Sequence, residues 1–399
     1  MAGMAVCQPG GTSVLMEKRK EILSKIAYYC FYAGVIIEVL MVLVDKSVLI
    51  NPIEGRLFQL TFLLFMIKVC LTGYSRKEYL VIVMFLGLGA VSYFATGRNE
   101  IVRVVMFIAA CKDIDMKKCL KMVFYLTMSG CLLIMLLSLL GIGGDMMLTQ
   151  DYGRGSVETR YTLGLGHPNA LQCMVWALTA LGLYLYVSKM RWYHYLMVLL
   201  INVMFFMLSQ SKTALMVAFY TIIAFWGAKV IKNKWGKRLF AIGNIGICAG
   251  SVILSVFAAK DAMCLWYYFS EGVYSEKAIF YSKINKILTG RIQALFGTTN
   301  KEGTIQTWSL FSRPENNYYF DMGWVRLFYW YGIIPACIGL VVLFCFLIYF
   351  YRKDKLAEIV LITVFSLYTI VEAHAISVYL ARNYVLFILG MYWYRLKRK

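Results

Sequence analysis

Charged side chains are scarce in this sequence. Of its 399 residues, 16% are charged and 61% are hydrophobic, and the mean hydropathy is +0.67. A chain with so little charge cannot cover the surface of an ordinary water-soluble domain. The composition therefore excludes a typical soluble globular protein and predicts a polytopic membrane protein.

Residues that commonly bind metal ions are few or unsuitably spaced. The chain has 3 His and 11 Cys, no two cysteines form a CxxC pair, and most cysteines lie inside apolar runs. This pattern supports neither a disulfide framework nor a metal site, so we expect no metal and no cofactor. The stretch KDID, with Asp113 and Asp115, is similar to a sugar-nucleotide metal motif, but it is predicted to face the cytoplasm without a soluble domain, and we assign it no role.

Long apolar runs fill most of the chain. About twelve of them are near the length that crosses a ~30 Å hydrocarbon core, and their backbone groups must bond internally, which predicts helices. The predicted spans are residues 22–44, 57–71, 79–95, 101–111, 122–142, 168–187, 194–208, 213–230, 239–259, 324–350, 356–370 and 377–393. The fold class is therefore predicted to be all-α.

The predicted spans divide the chain into parts. These are an N-terminal tail at 1–21, helices 1–9 at 22–259, a large external loop at 260–323, and helices 10–12 with a basic tail at 324–399. Residues 1–15 lack the charged and apolar regions of a signal peptide, which predicts a tail, or a natural start at Met16 rather than Met1.

Basic residues alternate between the gaps. Dense groups occur at Lys18/Arg19/Lys20, Arg76/Lys77, Lys112/Lys117/Lys118/Lys121, Lys189/Arg191, Lys232/Lys234/Lys237/Arg238, Arg352/Lys353/Lys355 and Arg395/Lys397/Arg398/Lys399. They occupy every second gap and both ends, so the positive-inside rule predicts cytoplasmic termini. The net charge of +20 then reflects topology and does not indicate a nucleic-acid partner.

The stretch RYTLGLGHPNALQ, residues 160–172, lies at the start of the sixth predicted span, on the external side. Pro168 suits a first helical position, and His167 or Asn169 can bond the free N–H groups of that turn. With Arg160 nearby, this helix start is also a candidate anion site. A simple helix cap explains Pro168 and Asn169 but does not explain Arg160.

Two further cations lie at predicted helix starts on the external side. In SQSKTAL, Lys212 follows a serine at the start of the eighth span, and its alternative role is a snorkelling interfacial anchor. In LTGRIQAL, we expect Thr289 and Gly290 to end an interfacial helix and to place Arg291 on the first turn of the next. The planar fork of Arg291 suits phosphate, although it too has the alternative of an interfacial anchor.

Three groups able to accept a proton are predicted on the same side. They are Asp321, just before the tenth span, and Glu372 and His374, between the last two spans. Each alternatively could be a solvated loop residue, and Asp321 could be the cap of the tenth helix.

Taken in order, RYTLGLGHPN, SKT at a helix start, LTGRI in a large external loop and the later Asp321 resemble the O-antigen polymerase and ligase superfamily. The likeness runs from about residue 112 to the C-terminus. Two positions depart from it: members often have Arg where Lys212 stands, and the ligases have His where Asp321 stands. The form with Gly-His-Pro-Asn and Ser-Lys is similar to polymerases of capsule and exopolysaccharide clusters.

The resemblance implies a metal-independent membrane glycosyltransferase with a GT-C-like fold. Such enzymes move a saccharide from undecaprenyl diphosphate to an acceptor sugar on the outer face of the bacterial cytoplasmic membrane. The implied partners are undecaprenyl-diphosphate-linked oligosaccharides, membrane lipid, a chain-length regulator and a flippase. By this resemblance Arg160, His167, Asn169, Lys212 and Arg291 would bind substrate, and the base would be Asp321 or Glu372 first, then His374.

Two other functions fit the sequence pattern. A ligase would transfer finished polymer to a wall or lipid acceptor. A flippase or transporter for lipid-linked oligosaccharides would also have about twelve helices, but its two halves should resemble each other and its charges should line a cavity at mid-membrane, which this sequence does not indicate.

Overall fold

The computed structural model describes residues 10–151, 157–297 and 302–395. Helix accounts for 74% of the structure and strand for 3%, which confirms the all-α prediction. The helices are α1 Gly10–Lys46, α2 Glu54–Cys70, α3 Arg76–Thr96, α4 Glu100–Ala110, α5 Met116–Leu139, α6 Pro168–Tyr186, α7 Trp192–Ser209, α8 Lys212–Val230, α9 Lys234–Ser270, α10 Glu276–Ile287, α11 Arg291–Gly297, α12 Gly323–Tyr331, α13 Ile333–Arg352, α14 Leu356–Tyr368 and α15 Tyr384–Tyr392. The basic C-terminal residues 396–399 and the first part of the predicted tail, 1–9, lie outside the described residues.

Within the described part of the chain, seven helices are long and apolar enough to cross a membrane. They are α1 from Glu17 onward, α3, α5, α7, α8, α9 and α13, and each overlaps a predicted span. The remaining predicted spans correspond to α2, α4, α6, α14 and α15. Of these, α4 has 11 residues, α14 has 13 and α15 has 9, which is short for a membrane crossing.

The core of the bundle is formed by helices that are apolar on all sides. Most side chains of α6, α14 and α15 are buried, and the Trp176 ring of α6 packs 5.0 Å from Phe365 and 4.2 Å from Tyr368 of α14. A helix that is hydrophobic all round is expected inside a bundle rather than at its surface. The candidate site lies at the N-terminal ends of α6 and α15 and at the C-terminal end of α14.

The prediction of one helix over 324–350 is wrong. Gly332 has φ of +92°, and a Cβ there would lie 2.6 Å from the backbone of Phe311. The backbone N–H of Ile333 donates to Ser309 O at 2.8 Å, so the preceding loop hydrogen-bonds at the break. The run is apolar on both sides of Gly332, which is why hydropathy alone suggested one span.

The last predicted span, 377–393, is helical only from Tyr384 to Tyr392. Asn383 caps this helix, because its side-chain oxygen accepts from Val385 N at 3.1 Å. Residues 369–383 instead form a loop with a short 3-10 turn at Leu380–Arg382. That loop carries two of the predicted site residues.

The segment 143–166, which is predicted to be external, contains a two-stranded hairpin that the sequence did not indicate. Strands β1 Met147–Asp151 and β2 Val157–Tyr161 pair antiparallel, with Leu148 opposite Arg160. The side chains of Thr149 and Thr159 hydrogen-bond across the pair at 2.8 Å. The hairpin fixes the position of Arg160 just before the start of α6.

The break predicted in the large external loop is present. Thr289 and Gly290 have φ of +56° and +82°, and Arg291 is the first residue of α11. The Asn285 side chain near the end of α10 accepts from Ile292 N at 3.0 Å and holds the start of α11. A left-handed pair of residues ends one helix and turns the chain into the next.

Candidate functional site

Two arginines and two carboxylates from distant parts of the chain meet at one end of the bundle. Arg291 lies 3.5 Å from Asp321 (Nε to Oδ2) and 3.4 Å from Glu372 (Nη2 to Oε1). The second oxygen of Glu372 lies 3.9 Å from Nη2 of Arg382. We call Arg291, Asp321, Glu372 and Arg382 the arginine–carboxylate cluster.

The geometry of Arg291 is fixed by backbone carbonyls as well as by carboxylates. Its Nε donates to Val371 O at 2.6 Å, and its Nη1 donates to Leu288 O at 3.2 Å. The side chain is 11% exposed. Main-chain carbonyls and two carboxylates therefore fix the guanidinium inside the protein. A snorkelling anchor would instead extend its charge toward solvent, so these contacts argue against that alternative.

Asp321 precedes α12 without capping it. The N-cap residue of this helix is Met322, and no side chain makes a cap hydrogen bond there. The preceding carbonyl, Phe320 O, accepts from both Nε and Nη2 of the buried Arg326, at 3.0 and 2.6 Å. The alternative interpretation of Asp321 as a helix cap is therefore wrong, and its carboxylate faces Arg291 instead.

His374 is completely buried, beside the cluster. Its Nδ1 accepts a hydrogen bond from Arg382 Nε at 3.2 Å, so the proton of the neutral ring is assigned to Nε2, which lies 2.7 Å from Cys173 Sγ. The rings of Trp176 and Tyr368 pack at 5.3 and 4.9 Å from the imidazole. Both ring nitrogens are thus engaged inside the protein.

His167 and Pro168 begin α6 as the sequence predicts. His167 is the N-cap, Pro168 is the first helical residue, and His167 Nδ1 accepts from the backbone N–H of Asn169 at 3.1 Å. The Asn169 side chain is half-buried in this first turn. The capping prediction for this turn is confirmed.

The electrostatic environment of His167 connects this helix start to the cluster. Burial lowers the pKa of its imidazole, and the nearby Asp321 carboxylate opposes that shift. Three cations lower the pKa further: Arg160, Arg291 and Lys46. These charges therefore lie within interaction range of one ring, and His167 is neutral at pH 7.

The carboxylate of Glu372 has a raised pKa. Burial raises its pKa, and the negative charge of Asp321 raises it further, while Arg291, Arg382 and Lys46 oppose both effects. Two carboxylates that share one environment commonly separate into a more acidic and a more basic member. Perturbed carboxylates beside arginines are a frequent feature of active sites.

Two predicted cations differ in their placement. Arg160 is 3% exposed, and its Nε donates to Glu158 at 3.0 Å. Lys212 is exposed at the start of α8, and no hydrogen bond or ion pair joins its side chain to the described residues. The charge of Arg160 acts on His167 at the start of α6, whereas Lys212 lies outside the cluster.

Arg382 belongs to the site but was missed in the sequence, and so was Lys46, whose charge acts on His167 and Glu372. Arg382 is a lone cation between the apolar stretches ISVYLA and NYVLFILG, and such an isolated charge is a usable signal. Lys46 ends α1 beside Asp45, with 2.8 Å between the two side chains, and nothing in its sequence context distinguishes it from an interfacial lysine.

The site thus combines two arginines with two carboxylates, on α11 and on the loops that adjoin α12, α14 and α15. The charges of Arg160 and Lys46 act on His167 at the start of α6. Among the described residues, no group of three or more His, Cys, Asp or Glu is arranged to hold a metal ion.

No family model, no curated protein and no solved structure matches this chain.

Proposed function

We propose that this chain is a polysaccharide polymerase. It would join undecaprenyl-diphosphate-linked oligosaccharide repeat units on the outer face of the bacterial cytoplasmic membrane. The observation that carries the proposal is the arginine–carboxylate cluster, which collects two guanidinium groups and two carboxylates at one end of a helical bundle. The proposal includes about twelve membrane-crossing segments in a GT-C-like arrangement, with both termini in the cytoplasm.

The cations would stabilise the leaving group. When the glycosidic bond to the lipid diphosphate breaks, negative charge develops on the phosphate oxygen, and fixed donors lower the energy of that state. Arg291 and Arg382 are held in place by neighbouring groups, and Arg160 and Lys46 lie on the α6 side of the same region. Charge-assisted hydrogen bonds of this kind contribute about 1.5–3 kcal/mol each.

Asp321 is the better placed of the two carboxylates to act as the base. Its side chain is 44% exposed, whereas that of Glu372 is 17% exposed. The two oxygens of Glu372 face Arg291 and Arg382, so this residue would bridge the two guanidinium groups and fix their positions. Asp321 would take the proton from the acceptor hydroxyl as that oxygen attacks the anomeric carbon and the diphosphate leaves from the opposite face, which inverts the configuration.

The substrate would bind on the exposed side of the cluster. The cavity behind it, next to His374 and Arg382, has a volume of about 10 Å³, which holds at most about one water molecule. A saccharide must therefore approach from the side on which Asp321 is exposed. His167 and Asn169 would contact it from the α6 helix start, and His374 would orient Arg382 rather than accept a proton.

Gene deletion followed by sizing of the surface polysaccharide tests this function. A polymerase deletion leaves single repeat units on the lipid carrier and no long chains. Long polymer that is not attached to its final acceptor would identify a ligase instead. Repeat units retained on the cytoplasmic leaflet would identify a flippase, and an unchanged polysaccharide profile would exclude all three functions.

A further inference from the structure

A buried ion pair joins α1 to α4. Arg103 Nη2 lies 2.9 Å from Glu38 Oε1, and the two side chains are 4% and 1% exposed. Thr61 of α2 donates to the same Glu38 oxygen at 2.8 Å, and the Arg103 guanidinium lies 3.9 Å from the centre of the Phe58 ring. Ionisable residues inside an apolar bundle are costly and commonly have a specific role.

Both members of the pair also bind the backbone of one loop. Leu380 N donates to Glu38 Oε2 at 2.9 Å, and Arg103 Nη1 donates to Val378 O at 3.0 Å. Val378 and Leu380 lie just before Arg382 in the loop that joins α14 to α15. The pair therefore fixes the main chain immediately before a residue of the arginine–carboxylate cluster.

Packing alone does not explain a charge pair at this position. Replacing a buried ion pair by apolar side chains of similar volume is commonly neutral or stabilising, because both charges must be desolvated. The loop at 369–383, in contrast, lacks the regular hydrogen bonds of a long helix, so side chains must hold it. A charged pair with spare donors and acceptors can do this, and an apolar pair cannot.

We propose that Glu38 and Arg103 are positioning residues that hold Val378 and Leu380 and thereby direct Arg382 toward Glu372 and His374. We call Glu38 and Arg103 the clamp. The part of this inference that concerns catalysis rests on the proposed function. The part that concerns the loop does not, because the order of the loop can be measured without any substrate.

Arg103→Lys separates this role from simple charge pairing. A lysine at this position still offers a positive charge to Glu38, but it lacks the second arm of the guanidinium fork that reaches Val378 O. If the pair serves only to neutralise charge between α1 and α4, Arg103→Lys behaves as the wild type. If it positions the loop, the variant folds but the loop loses its order.

The test is hydrogen exchange of the full-length protein in lipid nanodiscs, followed by mass spectrometry. We expect Arg103→Lys to accelerate exchange in peptides covering 372–383 by about tenfold, the effect of losing one hydrogen bond to a charged group. Exchange over α10, residues 276–287, should change by less than about twofold, since neither Glu38 nor Arg103 contacts this helix. The double variant Glu38→Gln/Arg103→Gln, which leaves no unpaired charge, should give the same pattern if the single variant does not fold.

Lys68→Met is the matched control, because Lys68 is also a buried cation, 4% exposed, and binds Thr72 and the carbonyl of Lys112 rather than the loop. The proposal would be overturned if both clamp variants exchanged at the wild-type rate over 372–383. It would also be overturned if Lys68→Met accelerated exchange over 372–383 to the same extent as the clamp variants.

Turnover of lipid-linked repeat units provides the second measurement. We expect kcat to fall about tenfold in Arg103→Lys with KM for the donor within about twofold of wild type, because the other cations that bind the donor stay in place. Faster exchange in the loop together with an unchanged kcat would contradict the catalytic part of the inference. A wild-type protein without any polymerase activity would refute the proposed function and leave the exchange result to decide the role of the clamp.

Discussion

Arg382 donates a hydrogen bond from Nε to Nδ1 of His374 at 3.2 Å, which holds the imidazole in its neutral form. Burial lowers the pKa of His374 well below its usual value of 6.5, and the charge of Arg382 adds to this shift. The histidine is therefore a hydrogen-bond acceptor for Arg382 at neutral pH.

This relationship predicts how stability depends on pH. The unfolded chain takes up a proton on His374 below about pH 6.5, whereas the folded protein does not, so the contribution of His374 to stability is present above that pH and is lost as pH falls. His374→Gln keeps an acceptor for Arg382 but does not titrate. Between pH 6.5 and 5.5 we expect the wild type to lose up to about 1.4 kcal/mol more than the variant, measured by thermal unfolding in detergent.

The comparison with the variant is needed because His167 shifts in the same direction in both proteins. Parallel pH dependence in the wild type and in His374→Gln would show that His374 is not held neutral.

The proposed orientation of the chain predicts which loops a membrane-impermeant maleimide can label. In a background without native cysteines, cysteines at the exposed positions Gln150 and Gln306 should react from outside intact cells. Cysteines at the exposed positions Lys234 and Lys355 should react only after permeabilisation. Labelling of the second pair and protection of the first would invert the topology and place the arginine–carboxylate cluster in the cytoplasm.

Arg291 should depend on its shape as well as its charge. Arg291→Lys keeps the positive charge but cannot bind Val371 O, Asp321 and Glu372 at once, so we expect at least about a tenfold loss of polymer at matched protein level. Gel sizing of surface polysaccharide measures the loss. Lys283→Ala on the exposed side of α10 is the control and should retain normal polymer; a wild-type profile from Arg291→Lys would return Arg291 to the role of an interfacial anchor.

Lys212 should tolerate substitution much better than Arg291. Because its side chain is exposed and lies outside the cluster, Lys212→Ala should keep polymer within about twofold of wild type, with any loss arising from weaker interfacial anchoring. The same sizing experiment checks this result. Loss of polymer as severe as that of Arg291→Lys would mean that α8 approaches the cluster when substrate binds.

Local signals in the sequence correctly predicted one helix break and one helix start next to the candidate site. The Thr289–Gly290 pair marks a helix break because its backbone is left-handed, and His167 with Pro168 marks a helix start because each suits its position in the first turn. Such signals act within a few residues, so they can be read from the sequence alone.

Features that depend on distant contacts could not be predicted. The break at Gly332 depends on the approach of the Ser309–Ser312 backbone, and the position of Arg382 depends on Glu38 and Arg103, which are far away in the sequence. Apolar runs that cross a membrane and apolar helices buried inside a bundle also have the same composition, so hydropathy could not show that α12 and α15 are short.

Reconstituted polymerisation tests the role of the arginine–carboxylate cluster most directly. Lipid-linked repeat units accumulated by the deletion strain would be added to vesicles that contain the purified protein, and products would be sized. The wild type should yield a ladder of longer chains on the lipid carrier. Asp321→Asn, which removes the proposed base without removing a helix cap, should fold, bind the donor and lower the rate by about 10²–10⁴-fold. A wild type that leaves the repeat units unextended, or an Asp321→Asn variant that extends them at the wild-type rate, would contradict this assignment.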